Sequence, residues 1–323
     1  MINEPLKFTP ILKEKIWGGE KLKNLLHKKS IQNNIGESWE ISDVDNNVSV
    51  VVIGKFKGSS LTDLIKKYKA NLVGKKVYDK FGDKFPLLIK FIDAKEDLSI
   101  QLHPNDEVAK KNHNSFGKTE MWYILQADKN ANLIVGFEKM VDKKKYQSHL
   151  ENKTLLNILN QEKPVVGDVY YIPTGRVHSI GAGVLLAEIQ QTSDVTYRIY
   201  DWDRQDDKGN NRALHTKNAI ESLDFEVLKN YKTNYSKVDN VASKIVECPY
   251  FTTNIIKINK KISINHNDKD SFIIYMCVLG NVLFFNDEFS VKLNLGETIL
   301  IPNNLNEFKI SSEINSELLE VFI

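Results

Sequence analysis

The sequence predicts a mainly β protein built as two β-barrels with short helical insertions. Three observations carry that expectation. Short runs rich in Val, Ile, Leu, Phe and Tyr follow one another closely, with Gly, Pro and Asn between them, as in sandwiches and barrels. Gly167-Asp-Val-Tyr-Tyr-Ile-Pro173 and Gly296-Glu-Thr-Ile-Leu-Ile-Pro302 repeat a Gly, an acid, a strand and a Pro at the same spacing, as two similar barrels would. The 323 residues give room for about two domains.

The elements follow in order. Met1 to Pro10 carries Glu4 and Lys7 and has no apolar stretch, so it does not read as a signal peptide. Ser60 to Tyr68 puts Leu61, Leu64, Ile65 and Tyr68 on one helical face, within a helical region at 59–81. Phe85 to Asp93 is apolar and strand-length. Leu98 to His103 alternates, with Ile100 and Leu102 on one face and Gln101 and His103 on the other. A short helix at 104–112 follows Pro104. Strands are expected at Glu120 to Leu125 and Asn132 to Gly136. The charged, mixed stretch 139–160 reads as two short helices. Val165 to Ile172 reads as a strand that enters a Pro173-Thr-Gly175 turn, which aims His178 from a rigid element. Val184 to Gln190 is a further strand, with Val184, Leu186, Glu188 and Gln190 on one face. Asp201 to Arg212 reads as a surface loop, and 214–223 as a helix with Thr216 as N-cap. The polar stretch Lys229 to Asp239 has no apolar period and divides a first domain, 1–235, from a second, 236–323. In the second, Val278 to Phe285 looks like a hairpin around Gly280-Asn281. Glu307 stands where His178 does in the first repeat, so this barrel is expected to hold no metal.

Composition narrows the function classes. A net charge of +2 gives no reason to expect nucleic acid or a membrane as partner. No run of about 18 apolar residues is present to span a bilayer. Cys248 and Cys277 are far apart and imply no disulfide framework. The expectation is a cytoplasmic protein.

The residues with the most chemistry lie in the first barrel. Gln101 and His103 are two apart on a strand, so both point the same way. Glu120 opens the next strand, and His178 follows the turn. Two imidazoles, a carboxylate and an amide oxygen suit Zn²⁺, though Fe²⁺, Mn²⁺ or Co²⁺ would also fit. Pro104 ends the strand beside them, which places the four at a rim. His27, His113, His149, His215 and His266 lack such company and read as solvated or locally bonded. Trp17, Trp39 and Trp122 read as core.

The segment Gly167-x5-Pro173-x-Gly175-x2-His178 resembles the second motif of the cupin barrels, which are jelly-roll-like. Gln101-Leu-His103-Pro-Asn-Asp106, Gly117-Lys-Thr-Glu120-Met-Trp122 and Glu188-Ile-Gln190 with Ser193-Asp194 and Arg198 resemble the type I mannose-6-phosphate isomerases. So do Trp17-Gly18-Gly19 and Gly36-Glu37-Ser38-Trp39-Glu40. The likeness runs over about residues 5 to 220, is weaker beyond, and looks like the compact bacterial form.

That resemblance implies a zinc aldose–ketose isomerase, with one Zn²⁺ per chain, interconverting mannose 6-phosphate and fructose 6-phosphate. Gln101, His103, Glu120 and His178 fall on the family's zinc ligands, and Arg198 on its catalytic arginine. Lys118, Glu188 and Asp194 fall on other active-site positions. Arg204 stands where longer members carry a lysine, which raises the prospect of a phosphate contact there. The reaction moves a proton between C1 and C2 and needs a base and positive charge at the developing oxyanion. Arg198 is always protonated, so it suits charge stabilisation or phosphate anchoring rather than the base. Glu188 and Asp194 are the candidate bases, unranked, and Lys118 is a candidate for neutralising phosphate or opening the sugar ring. The alternatives are a cupin dioxygenase using iron and a non-catalytic sugar-phosphate-binding cupin. The expected partner is a small sugar phosphate, with the chain a monomer or dimer.

Overall fold

Period-2 alternation sorts the strand residues between two kinds of core. Along Val184–Gln191, Leu185, Ala187 and Ile189 pack into one apolar cluster, whereas Val184 and Leu186 pack into another on the opposite face. Ile273–Leu279 divides in the same way: Ile274, Met276 and Val278 join the first cluster, and Ile273, Tyr275 and Cys277 a third. Strands buried on both faces form continuous apolar runs, and every residue of Leu87–Ala94 is buried. The computed structural model describes residues 2–205 and 209–323. Part of the expected loop Asp201 to Arg212, residues 206–208, therefore lies outside the described residues.

The result is four stacked sheets. A five-stranded sheet, ordered Leu159–Glu162, Leu133–Phe137, His178–Ile180, Ile100–Leu102, Tyr197–Tyr200, faces a six-stranded sheet ordered Val169–Ile172, Glu120–Ala127, Val184–Gln191, Leu87–Ala94, Ile11–Gly19, Ile35–Ile41. The back of that six-stranded sheet packs on a second one, in which Leu6–Lys7, Thr298–Ile301, Ile273–Leu279, Ser316–Phe322, Thr252–Ile258 and Ser243–Glu247 run in order. Its far face meets a four-stranded sheet of Ile262–Asn265, Glu307–Ser311, Asn281–Phe285 and Ser290–Asn294. The fold is mainly β, as expected, with two sheet-based units sharing one apolar seam. The first strand, Leu6–Lys7, pairs with Thr298–Ile301, so the start of the chain closes onto the second unit.

Helices sit in the expected insertions, with one further short turn, Lys21–Asn24, that the sequence did not predict. Leu61–Tyr68, Ala70–Val73 and Lys75–Phe81 fill 59–81; the Ser60 hydroxyl caps the first by accepting from Asp63 N–H. Asn105 caps Asp106–His113. The 139–160 stretch gives the helix Lys143–Glu151 and a single 3-10 turn, Leu155–Ile158.

Three local readings are corrected. Val165 to Asp168 is a turn, not strand: Val165 N–H donates to the Asp168 carboxylate, Gly167 takes a φ of 88°, and the strand starts at Val169. Thr216 is the first residue of its helix rather than the cap; His215 holds the cap position, tied to Arg198 by both backbone and ring nitrogen. Gly280-Asn281 is not a hairpin. Gly280, at φ 70°, turns a corner between sheets, and Asn281 pairs with Asn294 instead. The Gly167 and Gly296 repeats do match in backbone: both glycines have positive φ, and each strand begins two residues later.

The second unit buries a polar chain. His266 Nε2 lies 2.8 Å from Tyr275 Oη, which donates to Glu320 Oε1, while Asn254 donates to Glu320 Oε2. Burial, opposed by Glu320, holds the His266 imidazolium down to about 4. The unfolded chain takes up this proton below about pH 6.5, the folded chain only near 4, so stability falls as pH drops across that window. The expected loss is about 3 kcal/mol. Urea melts from pH 7 to 4 on the wild type and His266→Gln test this: the wild type should lose stability more steeply, and parallel curves would exclude His266 as the cause.

Candidate functional site

One turn sets the two histidines. Gly175 has a φ of 84° and donates its N–H to the His103 carbonyl at 2.8 Å, so the segment leading into His178 is bolted to the backbone of His103. A Cβ at Gly175 would meet the Ser222 carbonyl oxygen at 2.5 Å, which leaves only glycine room here. His178 then opens a strand that pairs with Gln101. Glu120 opens the strand beside Val184–Gln191, on the facing sheet.

The side chains converge. One ligand atom each from His103, Glu120 and His178 lies within 4.8 Å of the others, and all three residues are buried. Glu120 reaches both rings, with Oε2 at 3.4 Å from His103 Nε2 and Oε1 at 3.6 Å from His178 Nε2. Each imidazole has its Nδ1 at a backbone carbonyl, 2.9 Å from Val195 O and 2.8 Å from Arg176 O. With those N–H groups donated outward, both Nε2 lone pairs face the centre, the arrangement that orients metal-ligating histidines. Burial drives His103 well below its ordinary value, helped by Lys118, and brings His178 down to about 4. Both rings are neutral at pH 7 and free to ligate. Gln101 is half-buried, with its carboxamide nitrogen 3.5 Å from His178 Nε2; turned over, the amide oxygen faces the same centre. The donor set fits a divalent transition metal such as Zn²⁺.

Lys118 is the cation nearest these groups. Its Nζ donates to Glu120 Oε2 at 2.7 Å and lies 3.0 Å from His103 Nε2. Glu188 stands on the same cavity wall, its Oε2 accepting from Trp122 Nε1 at 2.9 Å. Lys90 Nζ is 3.1 Å from Glu188 Oε1, an ion pair not aligned as a hydrogen bond. Burial would raise Glu188, but Lys90 and Lys118 outweigh it and hold the carboxyl below the usual range. Burial and the nearby Glu188 push Glu120 up. The cavity encloses about 330 Å³.

The remaining sequence candidates are spread around this cavity. Arg198 lines it, donating Nη1 to the Ala213 carbonyl at 2.9 Å, with Nε buried and unpartnered among the described residues. Asp194 reaches it from an exposed rim position. Arg204 does not line it; its guanidinium is held by Asp201 at 2.7 Å and by the Asp97 carbonyl at 2.6 Å. Arg212 lines the wall instead.

Sequence reasoning passed over four contributors: Lys90, Glu37, Lys15 and Arg212. Lys90 was findable, since it is the one cation inside the apolar run Leu87–Ala94 and is only 4% exposed. It lies within the field of both Glu188 and Glu37, and Glu37 in turn pairs with Lys15 at 3.2 Å and accepts from Trp39 Nε1. Trp17 and Trp122 are core residues that also wall the cavity.

Residues 6–131 match the family described as phosphomannose isomerase type I, catalytic domain, and residues 242–319 match the mannose-6-phosphate isomerase cupin domain. The mannose-6-phosphate isomerase ManA of Bacillus subtilis is 36% identical over 313 residues, 96% of each chain. The mannose-6-phosphate isomerase of Streptococcus mutans is 30% identical over 316 residues, again 96% of each. The crystal structure of a mannose 6-phosphate isomerase from Bacillus subtilis superposes with a TM-score of 0.89 at 31% identity, covering 99% of this chain and 100% of that one. A phosphomannose isomerase variant from Salmonella typhimurium shares the fold alone, at a TM-score of 0.79 and 17% identity over 98% of this chain and 99% of that one. Kinship along nearly the whole length, with both domain descriptions matched, means that the chain belongs to the type I mannose-6-phosphate isomerase family.

Proposed function

We propose that this chain is a zinc-dependent aldose–ketose isomerase that interconverts D-mannose 6-phosphate and D-fructose 6-phosphate through an enediolate. The observation that carries the reading is that a buried cluster of two neutral histidines and Glu120 opens, through Glu120 and His178, on a cavity also lined by the carboxylate of Glu188 and the guanidinium of Arg198. Gln101, His103, Glu120 and His178 would hold the zinc, which when bound supplies Lewis-acid polarisation of the sugar oxygens. Lys118 would give up its contact with His103 Nε2 on loading and turn its ammonium to the sugar.

Of the two candidate bases, Glu188 is the better placed. It is 3% exposed and is kept anionic by Lys90, whereas Asp194 sits at the solvent rim. Glu188 would take the proton from C2 of the aldose and return it to C1, while Arg198 stabilises the charge that develops on oxygen. Residues 1–235 would form the catalytic unit and 236–323 a second cupin-like unit without a metal. Two free cysteines and the phosphorylated substrate favour the cytoplasm.

A coupled assay on mannose 6-phosphate, run beside metal analysis, tests the proposal. The expected result is about one zinc per chain, loss of turnover on chelation and recovery with Zn²⁺. Zinc-loaded protein without turnover would sink it, and tight sugar-phosphate binding in that protein would point to a sensor.

A further inference from the structure

We infer that Arg212, and not Arg204, anchors the substrate's phosphate, beside Arg198 at one wall of the catalytic cavity. The inference rests on the mannose 6-phosphate reading above and adds to it the residue that selects a phosphorylated sugar.

Charge pairing on the wall singles out the two arginines. Three lysines that line the cavity each face a carboxylate that lines it too: Lys15 with Glu37 at 3.2 Å, Lys90 with Glu188 at 3.1 Å, and Lys118 with Glu120 at 2.7 Å. The arginines have no such partner. Among the described residues Arg198 has no carboxylate within 4.0 Å. The carboxylate of Arg212 is Asp201, which stands behind it and does not line the cavity. Asp194, the remaining acid on the wall, is exposed and has no cation within 4.0 Å among the described residues.

The two guanidiniums are neighbours. Arg198 Nη1 is bonded to the carbonyl of Ala213, the residue after Arg212. Burial, and next the charge of Arg212, press Arg198 below its ordinary value. Two cations that repel across one wall draw a dianion to it; the phosphate takes the spare donor of Arg212 and leaves that of Arg198 for the developing oxyanion. Those donors exist. Arg212 spends Nε on Asp201 Oδ2 at 2.6 Å and Nη2 on Asp201 Oδ1, leaving Nη1 without a partner among the described residues. Arg198 keeps Nε unpartnered among the described residues.

Asp201 explains why Arg204 is not the anchor. The same carboxylate accepts from Arg204 Nη2 through Oδ1, the oxygen it also presents to Arg212, and the Asp97 carbonyl holds Arg204 Nη1 at 2.6 Å. Arg204 is thus a brace for Asp201, which aims Arg212 at the cavity.

The test compares Arg212→Gln, Arg212→Lys and Arg204→Gln as zinc-loaded full-length proteins with matched melting profiles. Loss of a charge-assisted hydrogen bond should raise KM for mannose 6-phosphate about 10- to 100-fold in Arg212→Gln, with a smaller change in kcat. The inhibition constant of inorganic phosphate should rise by a similar factor, and Arg212→Lys should recover part of both. If Arg204→Gln raises KM and the phosphate constant while Arg212→Gln leaves them at wild-type values, the inference is overturned. Should the wild type fail to turn over mannose 6-phosphate, the isomerase reading falls. Calorimetry with inorganic phosphate then still decides: binding lost in Arg212→Gln upholds the anchor, and binding unchanged removes it.

Discussion

His178→Ala should yield a folded protein that no longer retains zinc and has lost about 10³-fold or more of its turnover, the equivalent of roughly 4 kcal/mol of charge stabilisation. The imidazole is fixed twice, by its Nδ1 contact to Arg176 O at 2.8 Å and by the strand pairing of His178 with Gln101 and Val135. Alanine keeps the strand and removes only the ring. Of the three groups left, Gln101, His103 and Glu120, the last two retain Lys118 between them as a competing cation 3.0 Å from His103 Nε2. A site that must displace an ammonium with fewer ligands will bind metal weakly. Metal content after dialysis, read with the coupled assay and a thermal melt, checks this. One tightly held zinc per chain in the variant would remove His178 from the proposed ligands.

How the sequence carried this much, and no more, follows from periodicity. Gln101 and His103 could be paired by inspection, because residues two apart on a strand share a face whatever the tertiary fold. The same rule put Glu188 on the face of Val184 and Leu186, which pack into the cluster beside the cavity. The Pro173–Gly175 turn was legible because few residue types satisfy it. Gly280-Asn281 misled for the converse reason. A glycine at positive φ serves a hairpin or a corner equally well, and only pairing with Asn294 on another sheet decides which. Arg212 could not be found by any period. It lies on an irregular loop, and its place on the wall depends on a grip from Asp201, eleven residues back. Lys90 and Glu37 are intermediate: a charge within an apolar strand announces a buried partner, but not which one.

Glu188→Gln should keep zinc and fold while lowering turnover about 10²- to 10⁴-fold, the usual weight of a general base. The amide oxygen can still accept from Trp122 Nε1, and Lys90 remains near Glu37, so the substitution removes the base with little loss of packing. Asp194→Asn, at the exposed rim, should cost less than about tenfold, below the range expected of a base. The reverse order in the coupled assay would assign the proton transfer to Asp194. Lys90 separates chemistry from stability. Lys90→Met leaves the Glu188 carboxylate buried beside Glu37 without their shared cation, and should destabilise the fold by about 3–5 kcal/mol. Lys90→Met combined with Glu188→Gln removes both charges, so it should recover much of that stability and none of the turnover. That pattern would mean that Lys90 serves the site by keeping an anion in place where burial alone would protonate it.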